Sequence, residues 1–245
     1  MNSARDYNII GSLLGLGEFI LLEIISEMIL PQDVQQFLVV CRKINKLLEH
    51  LRFKKIIQSL IQITPVFIIK ESSQGKLEGM KFIHSNIYNY CTIAFDPVIN
   101  EGIVRFEAIF ENTGAWKTIG VAYAFYSFES ESPPWNVGNT KTTVKYYSDG
   151  RIDQIGKTIL NKEYTDGQII GIEVDMTTVP RRFTFFVDDV EQPNYVSGIP
   201  SKIRFWAFLW NSSSSFTVVK FERLIKSTAK GVVGSQALEW GKEWK

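Results

Sequence analysis

Asp166-Gly167-Gln168-Ile169-Ile170-Gly171-Ile172-Glu173-Val174-Asp175-Met176 is the stretch that decides the fold. Ile170, Ile172, Val174 and Met176 occupy every second position, with Gly171, Glu173 and Asp175 between them. A period of two puts the apolar side chains on one face of an extended strand, whereas a helix would scatter them. The same period runs outward both ways. Upstream, Val104, Phe106, Ala108 and Phe110 alternate with polar or mixed positions; downstream, Phe183, Phe185 and Val187 share a face, as do Phe216 and Val218. Asp149-Gly150, between Val144-Lys145-Tyr146-Tyr147 and Ile152, is a hairpin signal. Many short strands with no helical pattern between them, from Thr64 to about Leu224, predict a mainly β fold, an antiparallel β-sandwich. Ile203-Arg204-Phe205-Trp206-Ala207-Phe208-Leu209-Trp210 is aromatic on both faces. It is either central in the sandwich or exposes rings for use.

Ahead of residue 64 the period is helical. Leu21, Ile24, Ile25 and Met28 recur at three- and four-residue steps, followed by Val34, Phe37, Leu38 and Cys41, then Ile44, Leu47, Leu48 and Leu51. Pro31 ends one helix, Gln32-Asp33 is expected to cap the next, and a last short helix is expected over Phe53 to Ile63. A small bundle of short α-helices therefore precedes the sandwich. The expected boundaries are an N-terminal arm (1–13), the helical segment (14–63), the sandwich (64–226) and a C-terminal tail (227–245). The tail is broken by Gly231, Gly234 and Gly241 but carries Trp240 and Trp244, enough to dock a short turn on the sandwich.

Composition narrows the function. The 245 residues are 45% hydrophobic and 22% charged, which suits a globular chain. Lys plus Arg number 27 against 26 Asp plus Glu, so neither nucleic acid nor an anionic membrane is an expected partner. Glu18, Glu23 and Glu27 interrupt the apolar stretch that runs to Leu30, which argues against a membrane span. Two Cys and two His give neither a disulfide framework nor a zinc cluster, so no metal is expected. Isolated thiols suit a reducing compartment. The chain is expected in the cytoplasm, with the nucleus left open.

Catalytic signals are weak. Gly156-Lys157-Thr158 resembles the end of a phosphate-binding loop, but Gly150 stands one residue too far away and the segment follows a hairpin. His50 and His84 lie in no recognisable motif. Asp188-Asp189 and Glu129/Glu131 are paired acids without a visible partner, and acids in turns ordinarily bond their own backbone. The basic residues Arg42, Lys43, Lys46, Arg52, Lys54 and Lys55 read as the wet side of a helix, with an acidic protein partner as the alternative. No catalytic residue and no cofactor is expected.

The strands resemble, in order, those of a SPRY domain, over roughly Pro65 to Leu224. Glu101-Gly102-Ile103-Val104-Arg105-Phe106-Glu107 looks like the family's G-x-x-Y-x-E strand. Lys117-Thr118-Ile119-Gly120-Val121-Ala122 resembles x-x-I-G-V-A, and Tyr146-Tyr147-Ser148-Asp149-Gly150 fits the next hairpin. Asp166–Met176 is close to G-D-x-I-G-x-x-x-D-x. Arg182-Phe183-Thr184-Phe185-Phe186-Val187 fits x-x-T-F-F-x-N-G, except that Asp188-Asp189 replaces Asn-Gly. Since Asp-Asp suits positive φ less well, a longer or looser hairpin is expected there. The helices resemble an F-box over about Leu16 to Lys55: Leu21–Met28 against L-L-x-x-I-L-S-x-L, Leu30-Pro31-Gln32-Asp33-Val34 against L-x-P-x-D-L, and Phe37–Lys43 against x-x-V-C-R-x. Leu16-Gly17 stands for the usual Leu-Pro and Ile44 for the usual Trp.

The resemblance implies a protein-interaction protein, the substrate-recognition subunit of an SCF-type ubiquitin ligase, with a target peptide in the SPRY loops. The alternatives are a stand-alone SPRY peptide-binding or scaffold module with structural helices, and a carbohydrate-binding sandwich using exposed Trp. A Skp-type adaptor would be met by Leu16, Leu21, Leu22, Ile25, Pro31, Val34, Leu38, Val40 and Cys41. Leu209-Trp210 falls where peptide-binding relatives end the strand before the last with a Val-Trp pair. It therefore implies ligand contact at Leu209, Trp210 and Asn211, with Tyr123, Tyr126 and Trp135 as candidates for the opposite wall.

Overall fold

The computed structural model describes residues 12–136, 141–155 and 158–244. The N-terminal arm up to residue 11 and Gly156-Lys157 of the phosphate-loop near-miss lie outside the described residues. The chain divides between Ile63 and Thr64 into two compact units; Arg223–Lys226 belongs with the helical one and Ser227 onward with the sheets.

The helical unit comprises α1 (Ser12–Gly15), α2 (Glu18–Ser26), α3 (Pro31–Leu38), α4 (Arg42–Asn45), a 3-10 turn at Lys46–Glu49 and α5 (Leu51–Ile61). Leu21, Leu22 and Ile25 of α2, Val34 and Leu38 of α3, and Phe53 and Ile56 of α5 close on one core with Ile44 and Leu47. Each such side chain contributes about 1.5–3 kcal/mol on burial. Gln32-Asp33 does not cap α3: Leu30 is the N-cap, without a side-chain bond, and Pro31 opens the helix. Proline has a suitable φ and no N–H to satisfy, so the cap is dispensable there. α5 starts instead on a side chain, His50 Nδ1 accepting from the Arg52 N–H at 3.1 Å.

The second unit is a β-sandwich of mainly antiparallel strands. Its strands are β1 (Val66–Ile68), β2 (Gly75–Glu78), β3 (Lys81–His84), β4 (Cys91–Asp96), β5 (Ile103–Glu111), β6 (Lys117–Tyr123), β7 (Thr143–Tyr147) and β8 (Arg151–Asp153). They continue as β9 (Ile159–Leu160), β10 (Ile169–Asp175), β11 (Arg182–Val187), β12 (Val190–Ser197), β13 (Ile203–Leu209), β14 (Ser215–Leu224) and β15 (Gln236–Glu239). One sheet runs β1-β4-β13-β6-β7-β8-β9 and the other β15-β12-β11-β10-β5-β14-β3-β2. The apolar alternation found in the sequence lines the space between them. Phe106 stacks on Phe205 at 5.0 Å and Tyr146 meets Phe185 at 4.7 Å, each pair bridging the sheets.

β13 is central, between β4 and β6. Its outward rings, Trp206 and Phe208, are buried, because the chain from Ala124 to Trp135 folds over them with Phe128. Gly120, beside Trp206 in the register, allows this: a Cβ there would stand 2.5 Å from the Trp206 ring and 2.2 Å from the Val144 carbonyl oxygen.

The β11–β12 hairpin is tight, not loose. Val187 pairs with Val190, and both Asp188 and Asp189 adopt positive φ (49° and 63°). Side-chain bonds compensate the strain. Asp188 accepts the Ile169 N–H at 2.9 Å and the Gln168 amide at 2.5 Å, and Asp189 pairs with Arg105 at 2.9 Å. The Ile169 N–H and the Gln168 amide hold the Asp188 carboxyl below its usual range. This acid pair is thus accounted for by structure. The tail also does more than turn: β15 pairs in parallel with β12, and Trp244 donates to the Glu239 carbonyl.

Candidate functional site

A cleft of about 370 Å³ opens on the seven-stranded sheet, lined by Trp116, Trp135, Tyr147, Asp149, Arg151 and Phe208, among others. That volume lies within the range of small-ligand pockets, roughly 300–1,000 Å³. Trp116 is 54% exposed and forms one wall. It sits in the β5–β6 turn, which is held from several sides. The Thr113 N–H donates to Asp166 at 2.8 Å, and the Thr113 hydroxyl donates to the same carboxylate. Lys117 Nζ donates to the Gly114 carbonyl at 2.7 Å and pairs with Asp166 at 2.9 Å. Burial alone would raise the Asp166 pKa, but the Thr113 hydroxyl and N–H and the Lys117 ammonium outweigh it and lower it. Ser148 donates to the Ala115 carbonyl at 2.8 Å, tying the turn to the β7–β8 hairpin.

The other wall and rim come from that hairpin. The Arg151 guanidinium lies 4.9 Å from the centre of the Tyr147 ring and donates to Asp149 at 2.7 Å. Trp135, from the segment over β13, packs edge-on to Phe208 at 5.3 Å and to Tyr90 at 5.7 Å.

The residues implied for ligand contact are only partly brought together. Trp210 is half-buried, its ring 4.4 Å from Tyr90 and 6.2 Å from Trp116, so it backs the wall of the cleft. Trp135 lines the cleft itself. Leu209 is fully buried and cannot touch a ligand. Asn211 is committed to structure: its amide donates to the Thr113 carbonyl at 3.0 Å, and its carbonyl meets Ser214 and His84. It therefore supports the turn carrying Trp116. Tyr126 leans on Phe128 at 4.9 Å, beside a separate pocket of about 120 Å³ shared with Lys70 and Arg204. Tyr123 pairs with Ile203, at the far end of β13 from Trp210, and its ring meets Trp240 at 6.0 Å. A strand of seven residues separates the two ends, about 20 Å, so Tyr123 is no part of this cleft.

Trp116, Tyr147, Asp149 and Arg151 did not stand out as contacts in the sequence. The available signal was a tryptophan directly after Gly114-Ala115, in a turn, where large rings have little reason to be unless used.

In the helical unit Leu21, Leu22, Ile25, Val34 and Leu38 form the core, and Pro31 is buried, so these do not present a face to an adaptor. Leu16 and Cys41 are half-buried, and Val40 is 61% exposed. Exposed apolar side chains are instead Phe19, Ile20, Ile29, Val39 and Leu51.

Both histidines serve the fold. His84 is buried, and burial lowers its pKa below the ordinary 6.5, against the Asn211 carbonyl bond, which raises it. Burial pushes the Cys91 thiol up to about 12, which suits a packed group and not a nucleophile. Among the described residues no cluster of three acids, His or Cys is placed to hold a metal, and no helix is long and apolar enough to cross a membrane.

No protein-family model matches the sequence, and no curated protein matches it. Among solved structures the chain is similar to the SPRY domain of human HERC1, at 12% identity and TM-score 0.46, over 62% of this chain and 91% of that one. It is similar to the TRIM65 PSpry domain at 10% identity and TM-score 0.47, over 74% and 96%. It is similar to the carbohydrate-binding module CBM66 from Bacillus subtilis at 7% identity and TM-score 0.37, over 66% and 97%. Likenesses of this strength say nothing of activity or ligand.

Proposed function

We propose that the chain is a protein-interaction protein whose SPRY-type sandwich holds a short segment of a target protein in the cleft between Trp116, Trp135 and Tyr147. The observation that carries this reading is an aromatic wall half open to water on a turn fixed by Asp166, Asn211 and Ser148. A rigid, solvent-reachable tryptophan is a low-entropy anchor for a peptide. We propose further that the helical unit is F-box-like and docks a Skp-type adaptor, making the chain a substrate receptor of an SCF-type ubiquitin ligase. Its contact side chains are then the exposed Phe19, Ile20, Val39 and Val40 and not the core positions. The alternative is a stand-alone SPRY module with structural helices.

Co-expression of the full chain with a Skp-type adaptor tests the finer reading. A one-to-one complex that Val40→Glu abolishes, with the chain still folded, supports the ligase receptor. A soluble chain that never retains the adaptor leaves the stand-alone module. Selection of binding peptides on the full chain, repeated with Trp116→Ala, tests the cleft; peptides that bind both proteins equally remove it.

A further inference from the structure

This inference rests on the cleft being the target site. The Arg151 guanidinium already lies on one of its rings, with Asp149 as counter-ion. The two charges are not held alike. The Asp149 carboxylate sits in the Tyr147-Ser148-Asp149-Gly150 turn and also accepts the Arg151 backbone N–H at 3.2 Å, which fixes its position. The Arg151 side chain is long and 51% exposed, and among the described residues its partners are the Asp149 carboxylate and the Tyr147 ring face. An exposed ion pair of this kind contributes little, so a competing cation displaces it at small cost. Lys117 borders the cleft but turns its ammonium to the Gly114 carbonyl and Asp166, so it does not oppose a cation. The remaining walls include the rings of Trp116, Trp135 and Phe208, whose faces attract cations, beside the neutral hydroxyls of Thr118 and Ser148.

We infer that the cleft takes a cationic side chain of the target, arginine in preference to lysine, on the Tyr147 ring and the Asp149 carboxylate, and that Arg151 holds this place until the target arrives. Arginine is preferred because a planar guanidinium both stacks on a ring and meets a carboxylate side by side.

The test titrates N-acetyl-arginine amide into the full chain and follows the tryptophan indole signals, with the blocked lysine and glutamate analogues alongside. Blocked arginine is expected to bind more tightly than blocked lysine, and blocked glutamate not at all. Arg151→Ala should tighten arginine binding about threefold by removing the competitor, and Asp149→Asn should weaken it about tenfold, the value of one charge-assisted contact. Tyr147→Leu replaces Asp149→Asn if that variant loses the hairpin, with the same loss expected. Weaker binding in Arg151→Ala, tighter binding of glutamate, or no effect of either wall variant overturns the inference. Peptide selection separates it from the wider reading. Binders that lack a basic residue overturn the cation site and leave the interaction module standing. No binders at all, with blocked arginine still in the cleft, remove the module and keep the site.

Discussion

The two outer faces of the sandwich are both covered, and by opposite chemistry. On the seven-stranded sheet, Trp206 and Phe208 lie under Phe128 and Trp135, ring against ring, and the cover ends in an open cleft. On the eight-stranded sheet, Arg105 lies 2.9 Å from Glu107 and 3.5 Å from Glu173, all buried, with its guanidinium 3.6 Å over the Phe186 ring. Ser227 and the Thr228 N–H close this cluster, donating to Glu173 at 2.6 and 2.9 Å. An apolar cover is non-directional and can part to admit a ligand at small cost. A buried charge cluster depends on every partner, and so seals its face.

The largest expected effect breaks the sealed face. Arg105→Leu leaves the buried Glu173 without a cation and Glu107 with Lys220 alone, and should cost about 3–5 kcal/mol in urea unfolding. A loss below about 1 kcal/mol would show that the cluster relaxes toward water. Phe128→Ala, on the apolar face, should cost about 3 kcal/mol and open Trp206 to a fluorescence quencher, with the charged face unaffected. Trp116→Ala sharpens the contrast: about 2 kcal/mol of target binding lost, with stability within about 0.5 kcal/mol of the parent. Tyr123→Ala, at the far end of β13, should change neither. A shared loss in both variants would mean that the target spans the whole sheet.

The smallest effect is one of pH. His84, whose folded-state pKa lies below its ordinary 6.5, is held neutral by burial. Its contribution is complete above about pH 6.5 and is lost as pH falls through the folded-state value, since the unfolded chain binds the proton more readily. His84→Gln should flatten that part of the stability profile; an unchanged acid slope would place the titration elsewhere.

The inward alternation of Ile170, Ile172 and Val174 was legible because every second residue meets the facing sheet. The fate of Glu173 and Arg105 was not. Glu173 is 2% exposed because Ser227 and Thr228, more than fifty residues on, come to rest against it. No local pattern reports that. The helices show a different limit. Periodicity marks the side of a helix that is buried, and Leu21, Leu22 and Ile25 spend that side on their own core. The same stripe cannot also serve a partner; the apolar side chains left exposed are residues that break the period, such as Phe19 and Val40. At the cleft, the Leu209-Trp210 resemblance pointed to Trp210, which stands behind the wall, whereas the turn that presents Trp116 depends on Asp166 and Asn211, from two other loops. Asp188-Asp189 looked unfit for a tight hairpin until Ile169, Gln168 and Arg105 supplied the compensating bonds.

β15 has a bearing on solubility. A row of free N–H and C=O groups along β12 would be a template for another chain to add itself. Residues 236–239, paired in parallel along Asn194–Ser197, occupy that row within the same molecule. Removing them would leave the eight-residue β12 as the edge in place of the four-residue β15, and such a chain would be expected to pair with copies of itself more readily.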